Sequence, residues 1–215
     1  MKAEGVNYGR WVHLPWRSAL VHMHDETEHY ELRTFRNIPL IEKSEQQALR
    51  SVKLAAFGLS VGSNVIDNTA ITGIGNEYLL FDPDRLETAN LNRIRASVAD
   101  VGLLKTEIAG RKIFDLDPYV NQKHFTEGYN EQTDDILRAE RPDLIIEEVD
   151  DLRVKARLRR IASELAIPIV MAGDAGDTAT LDIERYDLNG TKPFNGKLNR
   201  KEYDALLDGT YDDQE

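Results

Sequence analysis

Short apolar runs alternate with helical patterns between residues 52 and 174, and this alternation limits the possible folds most strongly. The first run, VKLAAF (52–57), leads directly into the small-residue turn GLSVGS (58–63) and then into a helical segment. A second run, EYLLFD (77–82), follows that helix. Strands that alternate with helices indicate a mainly parallel sheet with helices on both faces. The sequence therefore predicts an α/β, Rossmann-like fold.

Later segments continue the same alternation. Three further helices are predicted at 104–116, 134–139 and 151–166, and three further strands at 121–125, 143–148 and 168–174. The final apolar segment, ATLDIERYD, follows the turn AGDAGDT, a composition typical of a tight reversal. We therefore expect an antiparallel strand to be added at the C-terminal end of the sheet.

The chain divides by pattern into three parts. Residues 1–43 lack clear periodicity and are expected to form an N-terminal extension or arm, 44–190 the principal domain, and 191–215 a C-terminal tail with a short helix. Ser44 and Gln47 have the spacing of a capping box, which predicts that a helix begins at Ser44. The last five residues, YDDQE, are expected to be disordered.

Composition excludes several classes of function. The formal net charge of -11 makes nucleic acid an unlikely partner, because surfaces that grip phosphate backbones are usually basic. The absence of cysteine excludes a thioester or persulfide on this chain and a zinc site built on thiolates. No signal peptide and no apolar stretch of about 18 residues is found, so we expect a cytoplasmic protein without a membrane partner.

The turn GLSVGS lies between a predicted strand and a predicted helix. Small residues there let backbone N–H groups approach a phosphate, and the helix N-terminus adds partial positive charge. Asp82 ends the next strand, where a carboxylate of a nucleotide-binding fold accepts hydrogen bonds from ribose hydroxyls. An aspartate that caps a loop is the alternative interpretation of Asp82.

The segment after Asp82 separates two classes of nucleotide enzyme. An NAD-dependent oxidoreductase would account for the glycine turn and Asp82. It leaves Asn90, Arg93 and Lys105 unexplained, whereas cations near a triphosphate suit phosphoryl chemistry.

Three blocks resemble, in order, those of the ThiF/MoeB family, relatives of the ubiquitin-activating enzymes. They are FDPDRLETANLNR (81–93), ADVGLLKTEIA (99–109) and IIEEVDD (145–151), against family patterns of roughly DxDxVExSNLNRQ, VGxxKAE and DxxDN. The resemblance extends from about Leu32 to Pro168. It implies ATP-dependent adenylation of a carboxylate with release of pyrophosphate, using ATP and Mg²⁺.

The resemblance also implies roles for individual residues. Asp82 would bind the ribose, and Asp84 would belong to the same loop. Gly58, Ser60 and Gly62 would form the turn that holds the phosphates, and Asn90 and Arg93 would contact them. Lys105 would neutralise charge on the triphosphate, and Asp150 would be the ligand of magnesium. A helix N-cap is the competing interpretation of Asp150.

Upstream, LRTFRN (32–37) resembles the family's RYxRQ segment, whose second arginine reaches the nucleotide of the opposite subunit. The resemblance thus implies this catalytic role for Arg36 and a homodimer with shared sites. The substrate class would be a small protein's C-terminus, a peptide or a modified nucleoside.

Three departures from the family pattern modify these expectations. GLSVGS is one residue shorter than the family's GxGGxGS and carries Ser60 in place of a glycine, while Glu147 and Asp151 replace the first Asp and the Asn of DxxDN. The catalytic and zinc cysteines are missing, as in a bacterial branch of the family. If active, the chain should stop at the acyl adenylate or transfer it to another nucleophile. A catalytically inactive nucleotide-binding subunit is the alternative, ahead of an NAD-binding oxidoreductase.

Overall fold

A computed structural model describes residues 8–211 apart from the side chains of 174 and 175, and these residues form a six-stranded sheet with flanking helices and a separate two-stranded hairpin. The strands are β1 Arg10–Leu14, β2 Ala19–Met23, β3 Lys53–Phe57, β4 Glu77–Phe81, β5 Asn121–Phe125, β6 Leu144–Glu147, β7 Ile169–Ala175 and β8 Thr178–Glu184. The helices are α1 Glu26–Thr34, α2 Lys43–Arg50, α3 Gly62–Thr72, α4 Lys105–Leu116, α5 Thr133–Glu140, α6 Leu152–Leu165 and α7 Arg200–Asp208.

The large sheet has the strand order β5-β4-β3-β6-β7-β8. All neighbours are parallel except β7 and β8, which are antiparallel. The order grows outward from β3 through β4 and β5, and then resumes on the other side of β3 with β6. In open α/β sheets, ligands bind in the crevice at the carboxyl ends of the strands at such a switch point. The predicted Rossmann-like fold and its antiparallel addition are confirmed.

Two hydrophobic clusters, one on each face, hold the helices on the sheet. On one face Ile66 of α3 and Ile113 of α4 pack against Leu80 of β4. On the other face Leu137 of α5 and Leu158 of α6 are fully buried. Burial of each such side chain contributes roughly 2 kcal/mol. Helices cover both faces of the sheet, as the alternating pattern predicts. A ligand can therefore reach the sheet at the ends of its strands.

The N-terminal region is more regular than its sequence pattern suggests. Strands β1 and β2 form the hairpin, and α1 packs beside the C-terminal end of α3, where the buried Tyr30 hydroxyl donates to the Gly73 carbonyl at 2.8 Å. The predicted helix start at Ser44 is wrong. Helix α2 begins at Lys43, and the Glu45 carboxylate accepts a hydrogen bond from the Glu42 N–H. Glutamate serves at both capping positions, so the Ser-to-Gln spacing was misleading.

None of the helices between residues 8 and 211 combines the length and the apolar character needed to cross a bilayer. Of the tail expected to be disordered, residues 212–215 lie outside the described residues.

Candidate functional site

A cavity of about 290 Å³ opens at the carboxyl edge of the parallel strands. The ends of β3, β4 and β6 contribute to its wall, together with the loop after β5 and the starts of α4 and α6. Six residues that the sequence analysis assigned to nucleotide binding line it: Gly58, Ser60, Asp82, Asp84, Lys105 and Asp150.

The glycine turn requires glycine at its first position. Gly58 has a φ of +85°, and a Cβ atom built there would lie 2.4 Å from the carbonyl oxygen of Glu148. Any side chain would therefore collide with the backbone that follows β6. Gly62, the last glycine of the turn, is the first residue of α3. The turn thus brings the backbone of β3, the start of α3 and the end of β6 close together.

Asp82 connects the glycine turn to the loop after β4. Its Oδ2 accepts a hydrogen bond from the Leu59 N–H at 2.6 Å, and its Oδ1 accepts one from the Asp84 N–H at 2.8 Å. Burial raises the pKa of Asp82, and these backbone hydrogen bonds oppose the rise. Each oxygen keeps a second lone pair. Asp82 therefore caps two loops, as the alternative interpretation held, and can still accept a donor from a ligand.

Lys105 is the first residue of α4 and is only 8% exposed. Its Nζ lies 2.7 Å from Asp84 Oδ2 and 3.9 Å from Asp82 Oδ1. The Asp84 side chain is 63% exposed. One ammonium thus stands between a buried and an open carboxylate on the cavity wall.

Asn90 and Arg93 lie beside the cavity rather than in its lining. The Asn90 side chain accepts a hydrogen bond from the Glu87 N–H and thereby caps the 3-10 helix Thr88–Asn92. The Arg93 Nε donates to Ser60 Oγ at 2.9 Å, and its Nη1 donates to Asn92. Because Ser60 lines the cavity, this contact holds the Arg93 guanidinium at the cavity's rim. Its Nη2 has no hydrogen-bond partner within residues 8–211.

Asp150 lies in the short loop between β6 and α6, exposed to solvent. The neighbouring Asp151 is the N-cap of α6, because its Oδ1 accepts from the N–H groups of Arg153 and Val154 at 2.7 and 3.2 Å. The interpretation of Asp150 as the helix cap is therefore wrong. The Asp150 carboxylate has neither a hydrogen bond nor an ion pair within the described range. No group of three or more His, Asp or Glu side chains between residues 8 and 211 is arranged to hold a metal ion.

Glu147, which replaces the first Asp of the family pattern, points away from the cavity. It is fully buried and forms ion pairs at 2.8 Å with Lys155 and with Arg159. Arg159, 1% exposed, also pairs with Glu184 at 2.7 Å and lies over the Phe194 ring. The extra charge of Glu147 is thus neutralised inside the protein. Arg159 was not predicted from the sequence, although two glutamates at the ends of apolar runs are a signal for a buried cation.

Two of the cavity residues that were not predicted carry polar groups with defined partners. Glu148, half-buried, accepts a hydrogen bond at 2.7 Å from the Ala172 N–H of β7, and burial raises its pKa. Tyr129 follows β5, and its hydroxyl donates to Asp134. Burial together with that hydrogen bond raises the pKa of Tyr129. Their positions depend on how loops meet in three dimensions, for which the sequence pattern carries no signal.

Arg36 is not brought together with the other predicted residues. It lies exposed in the 3-10 turn Phe35–Asn37, and Asn37 donates a hydrogen bond to the Thr72 carbonyl at the C-terminal end of α3. The cavity lies at the opposite, N-terminal end of that 11-residue helix, about 15 Å away along its axis. Within one chain, Arg36 is therefore remote from the cavity.

Comparison with known proteins agrees with this geometry. The ThiF family model matches residues 33–185. The uncharacterized protein MT1398 of Mycobacterium tuberculosis is 36% identical over 207 residues, covering 95% of this chain and 28% of that protein.

Two solved structures are similar as well. The Escherichia coli tRNA N6-threonylcarbamoyladenosine dehydratase TcdA, in complex with ATP, is 25% identical with a TM-score of 0.64, covering 69% of this chain and 61% of that one. Escherichia coli MccB with MccA-N7isoASN is 26% identical with a TM-score of 0.57, covering 64% and 41%. The chain thus spans less than two thirds of these relatives' length. The family match covers well over half of the chain, which therefore belongs to the ThiF family.

Proposed function

We propose that this chain catalyses the adenylation of a carboxylate by ATP. An oxygen of the substrate carboxylate attacks the α-phosphorus, the bond to the bridging oxygen of the β-phosphate breaks, and pyrophosphate leaves with that electron pair. A carboxylate is already ionised at neutral pH, so the step needs neutralisation of charge and in-line placement rather than a strong base. The observation that carries the proposal is the cavity in which the glycine turn, Asp82, Lys105 and Asp150 meet.

The two halves of the cavity suit the two halves of ATP. The half-buried Val149 and Val154 supply an apolar surface on which a purine can lie, with the buried rings of Phe57 and Phe81 at its base. On the polar side, Asp82 accepts from the ribose and Asp84 belongs to the same loop. The phosphates would be bound by the backbone of the glycine turn and by the neighbouring polar side chains, that is, by Gly58, Ser60 and Gly62 together with Asn90, Arg93 and Lys105.

We assign Asp150 as the ligand of Mg²⁺. The cavity lining contains six carboxylates and one lysine, so a triphosphate with about four negative charges needs a further cation there. Magnesium is usually held by one or two carboxylates and the substrate's phosphates, which fits the unpaired carboxylate of Asp150. Bound in this way, the ion would neutralise charge that develops on the triphosphate.

The position of Arg36 supports a homodimer in which each subunit completes the other's site. Arg36 is remote from its own cavity, and exposed apolar side chains surround it in the sequence: Leu32 53%, Phe35 64%, Ile38 51% and Leu40 91% exposed. Apolar patches of this kind mark association surfaces. A second copy that covers the patch would carry Arg36 to the neighbouring nucleotide.

The substrate remains within the class expected from sequence, namely the C-terminus of a small protein, a peptide or a modified nucleoside. One relative carries a name that fits the last of these, since TcdA is a tRNA N6-threonylcarbamoyladenosine dehydratase; MccB was solved with MccA-N7isoASN. The net charge of -11 disfavours an extended nucleic-acid contact. Dependence on ATP favours a cytoplasmic location.

Calorimetric titration tests the nucleotide site directly. ATP with magnesium, and separately NAD, would be titrated into wild type, Arg93→Ala, Asp150→Ala and the control Arg85→Ala. The control matches Arg93→Ala, because it removes the same charge from the same exposed loop. We expect micromolar affinity for ATP and a loss of about tenfold, near 1.4 kcal/mol, in each of the first two variants but not in the control. Binding of NAD instead of ATP, or of neither, would reject the proposal. Normal ATP binding without pyrophosphate release for any carboxylate would identify an inactive subunit.

The same titration examines the shared site. Arg36→Ala should weaken ATP binding about tenfold. In an equimolar mixture of Arg36→Ala and Arg93→Ala, exchange of subunits restores about one tight site per four chains, because each mixed dimer holds one intact site. Wild-type affinity in Arg36→Ala, or a monomer in sedimentation, would contradict the dimer.

A further inference from the structure

Strand β5 is an end strand of the large sheet, and its outer side carries unused hydrogen-bonding groups. The Asn121 N–H donates to the Asn76 carbonyl at 2.9 Å, so the backbone of Asn121 faces the parallel neighbour β4. Backbone groups turn to alternate sides along a strand, so Gln122 and His124 direct their N–H and C=O groups outward. None of these four groups has a partner within residues 8–211. They form an open edge on which another strand can pair.

The side chains that could cover this edge are held elsewhere. A Cβ atom built on Gly110, inside α4, would lie 2.4 Å from His124 Cε1 and 2.7 Å from Gln122 Oε1. Gln122 Nε2 donates to the Gly110 carbonyl at 3.2 Å, and Gln122 Oε1 accepts from His124 Nε2 at 3.2 Å. Both side chains thus lie down on α4. A lysine often guards an edge strand, but Lys123 Nζ lies 2.7 Å from Glu140 Oε1 on the opposite face of the sheet.

A groove of about 720 Å³, the edge groove, lies beside the outer side of β5. Gln122 and His124 line it together with α4 and with the turn between β1 and β2. Trp16 of that turn and Phe114 of α4 meet edge to face, with their ring centroids 5.6 Å apart. The edge groove therefore combines free backbone groups with an apolar surface. These are the two features by which a sheet edge binds an extended peptide.

Positive charge is concentrated next to the edge groove. An adjoining cavity of about 610 Å³ shares Trp16 and Arg111 with it. Two carboxylates line that cavity against four cations, namely Arg17, Arg95, Arg111 and Lys112. Arg95 is exposed and forms no hydrogen bond or ion pair in the part of the chain that the structure describes. On a chain with a net charge of -11, this local excess of cations is complementary to an acidic ligand.

We propose that the edge groove binds an extended acidic segment of a partner protein, which joins the large sheet as a further strand beside β5. Backbone hydrogen bonds to Gln122 and His124 hold the segment, and one of its apolar side chains lies against Trp16 and Phe114. A carboxylate two residues along the segment projects to the same face, toward the adjoining cations. The edge groove and the adjoining cavity share no lining residue with the nucleotide cavity, so this docking is independent of adenylation.

Synthetic peptides test the strand pairing on the wild-type protein. The probe is an acetylated and amidated heptapeptide in which threonine alternates with valine, glutamate and valine, and its binding is followed by NMR from the amide signals of Gln122 and His124. N-methylation of two alternate residues should weaken binding about tenfold, and N-methylation of the residues next to them should have little effect, because only every second N–H faces β5. Lysine in place of the glutamate should weaken binding about tenfold.

His124→Pro and His124→Ala form a matched pair of variants. Both remove the imidazole, but only proline removes the outward N–H, and proline is tolerated in an edge strand where its nitrogen faces solvent. We expect the probe to bind His124→Pro about tenfold more weakly than His124→Ala. Arg95→Gln should reduce the preference for glutamate over lysine. Arg141→Gln, which removes the same charge from an exposed position elsewhere, should leave that preference unchanged.

Three outcomes would overturn the proposal. If both N-methylated peptides bind as well as the probe, or both are weakened alike, the peptide does not pair with β5. If the glutamate and lysine peptides bind equally, the partner is not acidic. If the Gln122 and His124 signals shift when the protein alone is concentrated, a second copy of the chain occupies the edge instead of a partner.

Discussion

Two groups of charged residues lie on either side of the end of β6, and they differ in what is left unpaired. On the α6 side, Arg159 is enclosed between Glu147 and Glu184, and all three are at most 1% exposed. On the cavity side, Asp150 has no partner between residues 8 and 211, and Arg93 leaves one guanidinium nitrogen free. Both groups combine arginine with carboxylates, so charge alone does not identify a functional site.

The two groups differ in the source of their counter-ions. The Arg159 network is complete within the protein and joins β6, α6 and β8. In the proposed function, a ligand supplies the partners that the cavity residues lack. We therefore expect substitutions in the first group to change the stability of the fold, and substitutions in the second to change binding.

The largest effect is expected from Arg159→Met. The variant leaves Glu184 buried without a cation and Glu147 with Lys155 alone, which should lower the free energy of unfolding by about 3–5 kcal/mol. Urea denaturation measures it. Arg157→Met, on the same helix, should stay within about 0.5 kcal/mol of wild type. Adding Glu147→Gln and Glu184→Gln to Arg159→Met should recover part of the loss; a single variant as stable as wild type would contradict the comparison.

A smaller loss of stability is expected from Gly58→Ala. This position lies between the two groups, because a side chain there collides with the backbone that follows β6. The positive φ and the 2.4 Å approach to the Glu148 carbonyl should together cost about 3 kcal/mol, with ATP binding weakened as the turn shifts. Gly102→Ala is the matched control, since it has a φ of +90° and nothing within 4 Å of the added Cβ. It should lose only about 1–2 kcal/mol. Equal losses in thermal or urea unfolding would show that the close approach is unimportant.

The smallest effect concerns pH. Burial raises the pKa of Asp82 in the folded state, so the folded chain binds its proton more readily than the unfolded chain. The stabilising contribution is therefore full below the unfolded pKa, about 4, and is lost as pH rises through the folded pKa. Wild type should gain stability relative to Asp82→Asn as pH falls from 7 to 4.

The control for the pH series has the opposite sign. A hydrogen bond from Arg185 lowers the pKa of Asp187, so its contribution is present above the unfolded pKa and is lost as pH falls through the folded pKa. Asp187→Asn should thus show a weak trend in the other direction. Urea unfolding at several pH values would measure both, and a trend of the same sign in the two variants would contradict the assignment.

Local pattern was sufficient for the fold because each element carries its own signal. The strand at 121–125 has the predicted bounds, the helix predicted over 104–116 spans 105–116, and six of the residues assigned to nucleotide binding line one cavity. Periodicity gives the face of an element, and strand order places its carboxyl end at the common edge of the sheet.

The failures occur where neighbouring residues compete for one role. Asp150 and Asp151 are equivalent in the sequence, and only the backbone geometry gives the N-cap to Asp151. The helix start predicted at Ser44 was wrong for the same reason, because Glu42 and Glu45 occupy the capping positions instead. The positions of Arg159 and Glu148 depend on contacts between elements that are far apart in the sequence, and a local sequence pattern carries no information on such contacts. The roles of Arg36 and of the individual nucleotide ligands stay predictions.

The ion pair between Lys105 and Asp84 has a consequence for conformational entropy. A free lysine has about 2 kcal/mol of rotamer entropy to lose when it engages a phosphate. Here the stem is buried and the ammonium is already held at 2.7 Å by a carboxylate that is itself open to solvent. That loss of freedom has occurred on folding. In the proposed function, a nucleotide that reaches the cavity would meet a cation that is already ordered, and Asp84 would turn toward water as the phosphate takes its place.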